Sequence, residues 1–311
     1  MNTPFHRRTA VVTGGTDGIG KEIARGLAGQ ACRLIIVGRN AEKGKQAEQD
    51  LRHSTQNSDV EFLQADLGLM REVERLADEV RGRLRSLHYL VHDAGVVLGR
   101  RELTAEGIES NFAINYLSRF VLTMQLLPML AAAGQADRAA RIVIVSGAAQ
   151  GGKVYFDDVN LTSNFATLRA VLQVCQANDL FTVELARRLS MEPADGRVTV
   201  TCLKIGVVKT NIRRDFPVWM KVLVPLLMDP LLGQTPQDAA RAAMQLLLAD
   251  DLEGVTGALF LKIRKFKPVA PDAHPLDRED GQRLWELSER LAENAPAAQG
   301  MPAPRPRTIP G

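Results

Sequence analysis

The residues best suited to chemistry stand early in the chain, in Thr13-Gly14-Gly15-Thr16-Asp17-Gly18-Ile19-Gly20. Glycines at 14, 18 and 20 permit a tight strand-to-helix turn and let backbone approach a pyrophosphate. They also leave that anion at the positive end of a helix. The run follows a β-branched segment and precedes an amphipathic one, which is the context a dinucleotide cradle needs. Arg39 then closes Val37-Gly38-Arg39, where a NAD-selective fold sets an acidic residue against the ribose 2′-hydroxyl. A guanidinium there forks onto a 2′-phosphate and stacks on adenine, so the reading favours NADP(H) over NAD(H). Asp66, in Ala65-Asp66-Leu67, is placed to hydrogen-bond the adenine edge.

These residues need a scaffold that brings strand ends together, and the hydrophobic pattern supplies one. Strand-like runs read at Ala10 to Val12, Leu34 to Val37, Val60 to Leu63, Leu87 to Val91, Ile142 to Val145, Val198 to Leu203 and Ala258 to Leu261. Helical periods fill the gaps, the first carrying Ile23, Ala24, Leu27 and Ala28 on one face. This alternation predicts an α/β domain with a doubly wound parallel sheet of about seven strands. The domain is expected over residues 1–293. Five prolines between Asn294 and Gly311 predict a disordered tail over 294–311.

Composition narrows the function. In 311 residues, 45% hydrophobic and 24% charged, there is material for a sizeable core. The formal net charge is +3 with basic residues scattered, so nucleic acid is not expected as a partner. The 3 cysteines frame neither a disulfide scaffold nor a zinc site, and no metal is expected. A reducing, cytoplasmic setting is expected, since the start of the chain has no apolar run of the secretory type. The longest apolar stretch, Phe216 to Leu232, is broken by Pro217, Lys221, Pro225, Asp229 and Pro230, so no integral membrane span is expected. Residues 213–233 read instead as an apolar flap over a hydrophobic small-molecule substrate, as a membrane-touching surface or as an ordinary buried helix pair.

Taken in order, the glycine run, Ala65-Asp66-Leu67, His92-Asp93-Ala94-Gly95, Asn115, Ile142 to Ser146, Ala177-Asn178-Asp179-Leu180-Phe181, Gly206 to Thr210 and Leu284-Trp285-Glu286-Leu287 resemble the short-chain dehydrogenase/reductase family. The likeness is closest to the retinol-dehydrogenase-like branch and spans Arg8 to Glu293. It implies a single Rossmann-type domain. It implies coenzyme contacts from Gly14, Thr16, Asp17, Gly18, Ile19, Gly20, Arg39, Asp66, Leu67, Ala94, Gly95, Asn115, Gly206 and Thr210. It also implies a homo-oligomer joined through the helices around Leu117 to Leu130 and Phe165 to Leu189.

Family enzymes transfer hydride between nicotinamide and a carbonyl or alcohol, using a Tyr-x-x-x-Lys pair, a Ser after the fifth strand and an Asn on the preceding helix. The ammonium is needed because a phenol near pKa 10 does not act as a base at neutral pH unaided. This sequence lacks the pair: Tyr89, Tyr116 and Tyr155 are followed four residues on by Asp93, Phe120 and Val159. Alignment on Ala177 to Phe181 puts Val171 at the Tyr position and Cys175 at the Lys position. The Ser position falls on Gly147, and strand alternation points Ser146 away from the site. Asn115 alone matches the family's set.

The nicotinamide side departs further, with His92-Asp93 for the family's Asn-Asn and Lys204-Ile205 before Gly206. Lys204, Asp93 and Gln173 are candidates for a new acid or base beside Asn115, while His92, Asp157, Asp158 and Cys175 read equally as core or loop residues. The sequence thus predicts a protein that binds NADP(H) and acts on a lipophilic molecule without the Tyr/Lys relay, by cyclisation, isomerisation, dehydration or cycloaddition. The alternatives are an NADPH-dependent oxidoreductase with another proton donor, and a catalytically dead NADP-binding or partner subunit.

Overall fold

Thr9-Ala10-Val11-Val12-Thr13 is buried at every position and forms β1 (Thr9–Thr13), the strand that ends in the glycine run. The computed structural model describes residues 8–134, 138–191, 198–206, 208, 233–263, 265–269 and 276–293. Thr210, the expected flap over 213–233 except its last residue, and the tail over 294–311 lie outside the described residues.

Around β1 stand β2 (Arg33–Gly38), β3 (Val60–Gln64), β4 (Tyr89–His92), β5 (Ala140–Gly147), β6 (Val198–Ile205), β7 (Ala258–Lys262) and β8 (Phe266–Pro268). They form an 8-stranded sheet in the order β3-β2-β1-β4-β5-β6-β7-β8. Seven strands are parallel, and β8 turns back antiparallel onto β7, pairing Lys262 with Phe266. This edge strand is the one addition to the expected sheet. Its 3 residues are too short to register as a period, and Pro268 is tolerated because the edge needs no outward N–H donor.

Helices α1 (Gly18–Gly29), α2 (Ala41–Thr55) and α7 (Pro236–Leu248) cover one face of the sheet. The other face carries α3 (Met70–Arg83), the short α4 (Ser110–Phe112), α5 (Ser118–Ala133), α6 (Thr167–Leu189) and α8 (Arg278–Glu293). Their starts follow local chemistry. Asn40 Oδ1 accepts from Lys43 N at 2.8 Å to cap α2, and Thr235 caps α7 ahead of Pro236.

Between α4 and α5 the chain makes a π-helical turn over Ala113–Leu117, centred on Asn115. Such turns widen a helix locally and often sit at functional positions. The helical run Ser110–Ala133 is long and apolar enough to cross a membrane by length and composition, and 67% of its most apolar window is buried within this fold.

Within one chain α8 packs against α5 and α6, while Leu168 and Val183 of α6 stay exposed. Trp285 meets Phe120 edge-on at 5.1 Å and Phe181 at 6.2 Å, and the Tyr116 phenol hydrogen-bonds Ser288 Oγ at 2.7 Å.

Candidate coenzyme and active site

The switch in strand order between β1 and β4 opens a crevice at the carboxyl ends of the strands, where α/β sheets take their ligands. Gly14, at φ +72°, lies so close to β4 that a Cβ there would stand 2.7 Å from Ala94 N. A Cβ at Gly20 would stand 2.5 Å from Gly14 O and 2.7 Å from Asp93 Oδ2. Glycine is therefore required at both. Asp17 Oδ1 accepts from Gly18 N at 2.8 Å, and its other oxygen pairs with Lys43 Nζ at 2.5 Å. Thr16 packs over Gly38, where a Cβ would be 2.7 Å from Thr16 Cγ2.

Arg39 follows, exposed and with no ion pair among the described residues. Its backbone carbonyl is held by Gln64 Nε2 at 3.0 Å. Beside it an open cavity of about 750 Å³ runs along the β3 edge, past Phe62, Gln64, Ala65 and Asp66 to Glu72 and Glu79 of α3, and no residue of the glycine run lines it. Asp66 Oδ1 holds Gly68 N at 2.9 Å, which fixes the turn, while Leu67 sends its side chain into the core. The glycine cradle and the exposed Arg39 guanidinium after β2 fit the pyrophosphate and the phosphorylated ribose of NADP(H). When bound, that coenzyme would supply a hydride-carrying nicotinamide.

The reacting half is built from β4, the π-turn, β5, α6 and β6. Asn115 Oδ1 accepts from Val96 N at 2.8 Å, and its Nδ2 donates to Asn111 O at 2.8 Å and Val96 O at 2.9 Å. The amide thus pins the loop after β4 rather than facing open space, with Gly95 exposed beside it. Asn178 Nδ2 donates to Asn115 O at 3.1 Å and so ties α6 to the π-turn. His92 is buried against Thr123 Oγ1 at 2.9 Å, and burial lowers its pKa to about 3, so it is a neutral core residue.

Arg119, which the sequence reading missed, donates to Val145 O at 2.8 Å, Ala94 O at 2.9 Å and Asn178 Oδ1 at 3.2 Å. Burial brings its pKa down to about 10, leaving it a cation at neutral pH. The half-buried Asp93 carboxyl faces it without an ion pair. Loss of water raises the Asp93 pKa to about 7, against the pull of Arg119 and a hydrogen bond from Gly20 N.

At the positions of the missing relay, Val171 is half-buried and Cys175 is 3% exposed. A Cβ at Gly147 would lie 3.1 Å from Cys175 Sγ, so thiol and glycine share one space. Ser146 corrects the expectation that it points away. With Ile142 and Ile144 it lies on the sheet face that α6 covers, and it hydrogen-bonds the Cys175 thiol. Alternation holds as far as Val145, which faces the other layer, and lapses at the strand end, where both Ser146 and the Cβ direction of Gly147 meet Cys175.

Lys204, opposite Ser146 in the β5–β6 register, is fully buried and forms an ion pair with Asp179 of α6. Cys202 Sγ lies 3.7 Å from Asp179 Oδ1, and burial among these groups pushes both the Cys175 and Cys202 thiols up. Gln173 is occupied at both ends, accepting from Tyr155 N at 3.0 Å and donating to Val159 O at 3.0 Å. It braces the loop after β5. Gly206 N is held by Lys262 O at 3.0 Å. Asp157 is exposed, and Asp158 is spent on Thr162 N at 2.7 Å and Ser163 N at 3.0 Å.

The three tyrosines are all engaged elsewhere. Tyr89 is bonded to Arg8, and Tyr116 is buried on Ser288 with its pKa raised. Tyr155 lies beneath Lys153 Nζ and Arg169 Cζ, each 5.1 Å from the ring centre. By helical phase Arg169, which covers this ring, projects opposite to Val171 and Cys175. Among the described residues no group of His, Cys, Asp and Glu has a metal-binding arrangement.

Comparison with known proteins agrees with this geometry. The family model described as short chain dehydrogenase matches residues 8–221. A human polyprenol dehydrogenase is 35% identical over 286 residues, covering 92% of this chain and 85% of that protein. Human retinol dehydrogenase 13 is 33% identical, covering 96% of this chain and 88% of its own. Among solved structures, a protein from Mycobacterium paratuberculosis superposes with a TM-score of 0.70 at 27% identity, covering 93% of this chain and 94% of that one. A short chain dehydrogenase from Shigella flexneri complexed with NADP gives 0.62 at 26% identity, covering 82% of this chain and 96% of that one. With the fold, the crevice and the matched segments in agreement, the chain belongs to the short-chain dehydrogenase family.

Proposed function

We propose that the protein binds NADP(H) and acts on a lipophilic small molecule as a non-redox enzyme, of cyclase, isomerase, dehydratase or cycloaddition type. The observation that carries this reading is the content of the relay positions. Val171, Cys175 and Gly147 offer neither phenol, ammonium nor hydroxyl, and all three tyrosines of the chain have other partners. Lys204 does not replace the lost ammonium at the crevice, because it is fully buried on Asp179. What the crevice retains is a coenzyme grip and an apolar wall at Val171, above a layer braced by Asn115, Asn178 and Arg119. Such a site promotes reactions by shape, desolvation and orientation rather than by proton relay.

The solved relative complexed with NADP supports the coenzyme. Relatives named for retinol and polyprenol support an apolar substrate class. The same names favour a second reading, an NADPH-dependent oxidoreductase that draws its proton from another donor.

Titration calorimetry with NADPH, followed by nicotinamide absorbance during incubation with hydrophobic carbonyls and polyenes, separates the two. Micromolar binding with steady absorbance and a rearranged product is the expected result. Stoichiometric loss of NADPH absorbance would establish the oxidoreductase instead. No binding of NADPH or NADH would remove the coenzyme reading altogether.

A further inference from the structure

Asp93 stands where the cradle and the reacting half meet. Its backbone N–H donates to Thr13 O at 3.3 Å, and its carboxyl accepts from Gly20 N in the first turns of α1. Asp93 Oδ2 would be 2.7 Å from a Cβ at Gly20, so the carboxyl is pressed onto the helix end that the fold offers to a pyrophosphate. It has no ion pair. On α5, Arg119 faces it but turns both terminal nitrogens to Val145 O, Ala94 O and Asn178, and its Nε makes no hydrogen bond. Its neighbour His92 is neutral and turned to Thr123, and β1 offers only the Thr13 carbonyl and hydroxyl. In the glycine run and on α1, Asp17 turns out to Lys43, and Lys21 turns away to Asp50 at 2.9 Å. Among the described residues no cation therefore forms an ion pair with this carboxyl, and a bound diphosphate would bring a second anion to the same turn.

We propose that Asp93 couples coenzyme binding to proton uptake: its carboxyl lies inside the cradle, beside the N–H groups that receive the pyrophosphate, and takes a proton from solvent when the coenzyme binds. This rests on the coenzyme reading above. The lifting of its pKa to about 7 puts the coupling within the neutral range. Two negative groups at one helix end repel, and protonation relieves the conflict while leaving the Gly20 hydrogen bond.

The test is NADPH titration calorimetry from pH 7 to 8.5 in two buffers of different ionisation enthalpy, with Asp93→Asn alongside. The 2′-phosphate titrates near pH 6, so it is constant over this range. Expected for the unaltered protein is uptake of up to one proton per coenzyme and an affinity falling by up to roughly tenfold per pH unit above neutrality. Asp93→Asn is expected to bind without uptake and with a flat profile. Binding without proton uptake in the unaltered protein overturns the proposal by itself, whether or not the variant folds. Equal uptake in Asp93→Asn also overturns it, by placing the proton elsewhere. Absence of binding in both proteins at every pH refutes the coenzyme reading rather than the local chemistry. The two are distinguished by apo melting curves, in which Asp93→Asn should gain stability over the unaltered protein as pH rises from 5 to 8, and an unchanged gap would sink the local argument too.

Discussion

Replacing Lys204 by methionine keeps the length of the side chain and removes its charge, leaving the Asp179 carboxylate in a layer that water does not reach. The side chains are 0% and 1% exposed, so solvent cannot relieve the loss. Removing one partner of a buried pair costs about 3–5 kcal/mol, whereas replacing both by apolar groups of similar volume is about neutral or stabilising by up to about 4 kcal/mol. Lys204→Met is therefore expected to lower the melting temperature by roughly 6–10 °C, at roughly 2 °C per kcal/mol for a chain this long. Asp179→Leu alone should fall by a similar amount, and the double variant should recover most or all of it. Urea unfolding of the four proteins gives the coupling energy, expected at about 3 kcal/mol or more. The reasoning fails if Lys204→Met lies within about 1 kcal/mol of the unaltered protein, or if the two losses add. NADPH binding should survive in the double variant, since neither residue reaches the crevice; its loss would mean that this pair shapes the coenzyme site directly.

Three further outcomes follow from the same geometry. Arg39→Asp, by removing a charge-assisted contact of about 1.5–3 kcal/mol, should weaken NADP about tenfold to a hundredfold while changing NAD far less; equal losses in calorimetry would contradict the 2′-phosphate assignment. The triple change Gly147→Ser, Val171→Tyr and Cys175→Lys should leave carbonyl reduction undetected by NADPH absorbance. The new ammonium would stand beside buried Lys204, whose charge already acts on position 175, and robust turnover would show a merely decayed enzyme. His92, with its pKa lowered to about 3, stabilises the fold fully above its unfolded value near 6.5 and loses that contribution as pH falls toward 3. Between pH 7 and pH 5 the unaltered protein should lose about 2 kcal/mol relative to His92→Asn in urea unfolding. Asp93 slopes the opposite way in both proteins and cancels in the comparison.

The scaffold was legible because strand and helix periods are local. The glycine run, the strand at Ala10 to Val12 and the helical face Ile23, Ala24, Leu27 and Ala28 stand where the pattern put them, since one buried face fixes each register. What was hidden depends on partners distant in sequence. Arg119 lies in an apolar helix, and Asp179 follows Cys175 at one helical turn, but nothing local says that Lys204 lies across from them. A charged residue within a buried period was the available signal, and it marked Arg119, Asp179 and Lys204 alike. The orientation of Ser146 failed for a different reason. Alternation sets neighbours on opposite faces, and it lapses at the strand end, where Ser146 and the Cβ direction of Gly147 both meet Cys175.

The division of the crevice into a kept half and a rewritten half admits two histories that packing can tell apart. A site decaying by random substitution accumulates holes and orphaned polar groups, because nothing selects the compensating change. Here the compensations are in place. Gly147 leaves the volume that Cys175 Sγ approaches, Ser146 hydrogen-bonds that thiol, and Asp179 balances Lys204. Among the described residues no buried nitrogen or oxygen of Ser146, Gln173, Asp179 or Lys204 lacks a hydrogen-bond partner, although Arg119 Nε does. A repacked layer of this kind costs stability if any member reverts alone, so it persists only where the altered site is itself retained. Reversion of Cys175 to lysine by itself is thus the sharpest probe of the two histories. A second ammonium beside Lys204 should destabilise the fold, whereas a decayed pocket would accept it with little change.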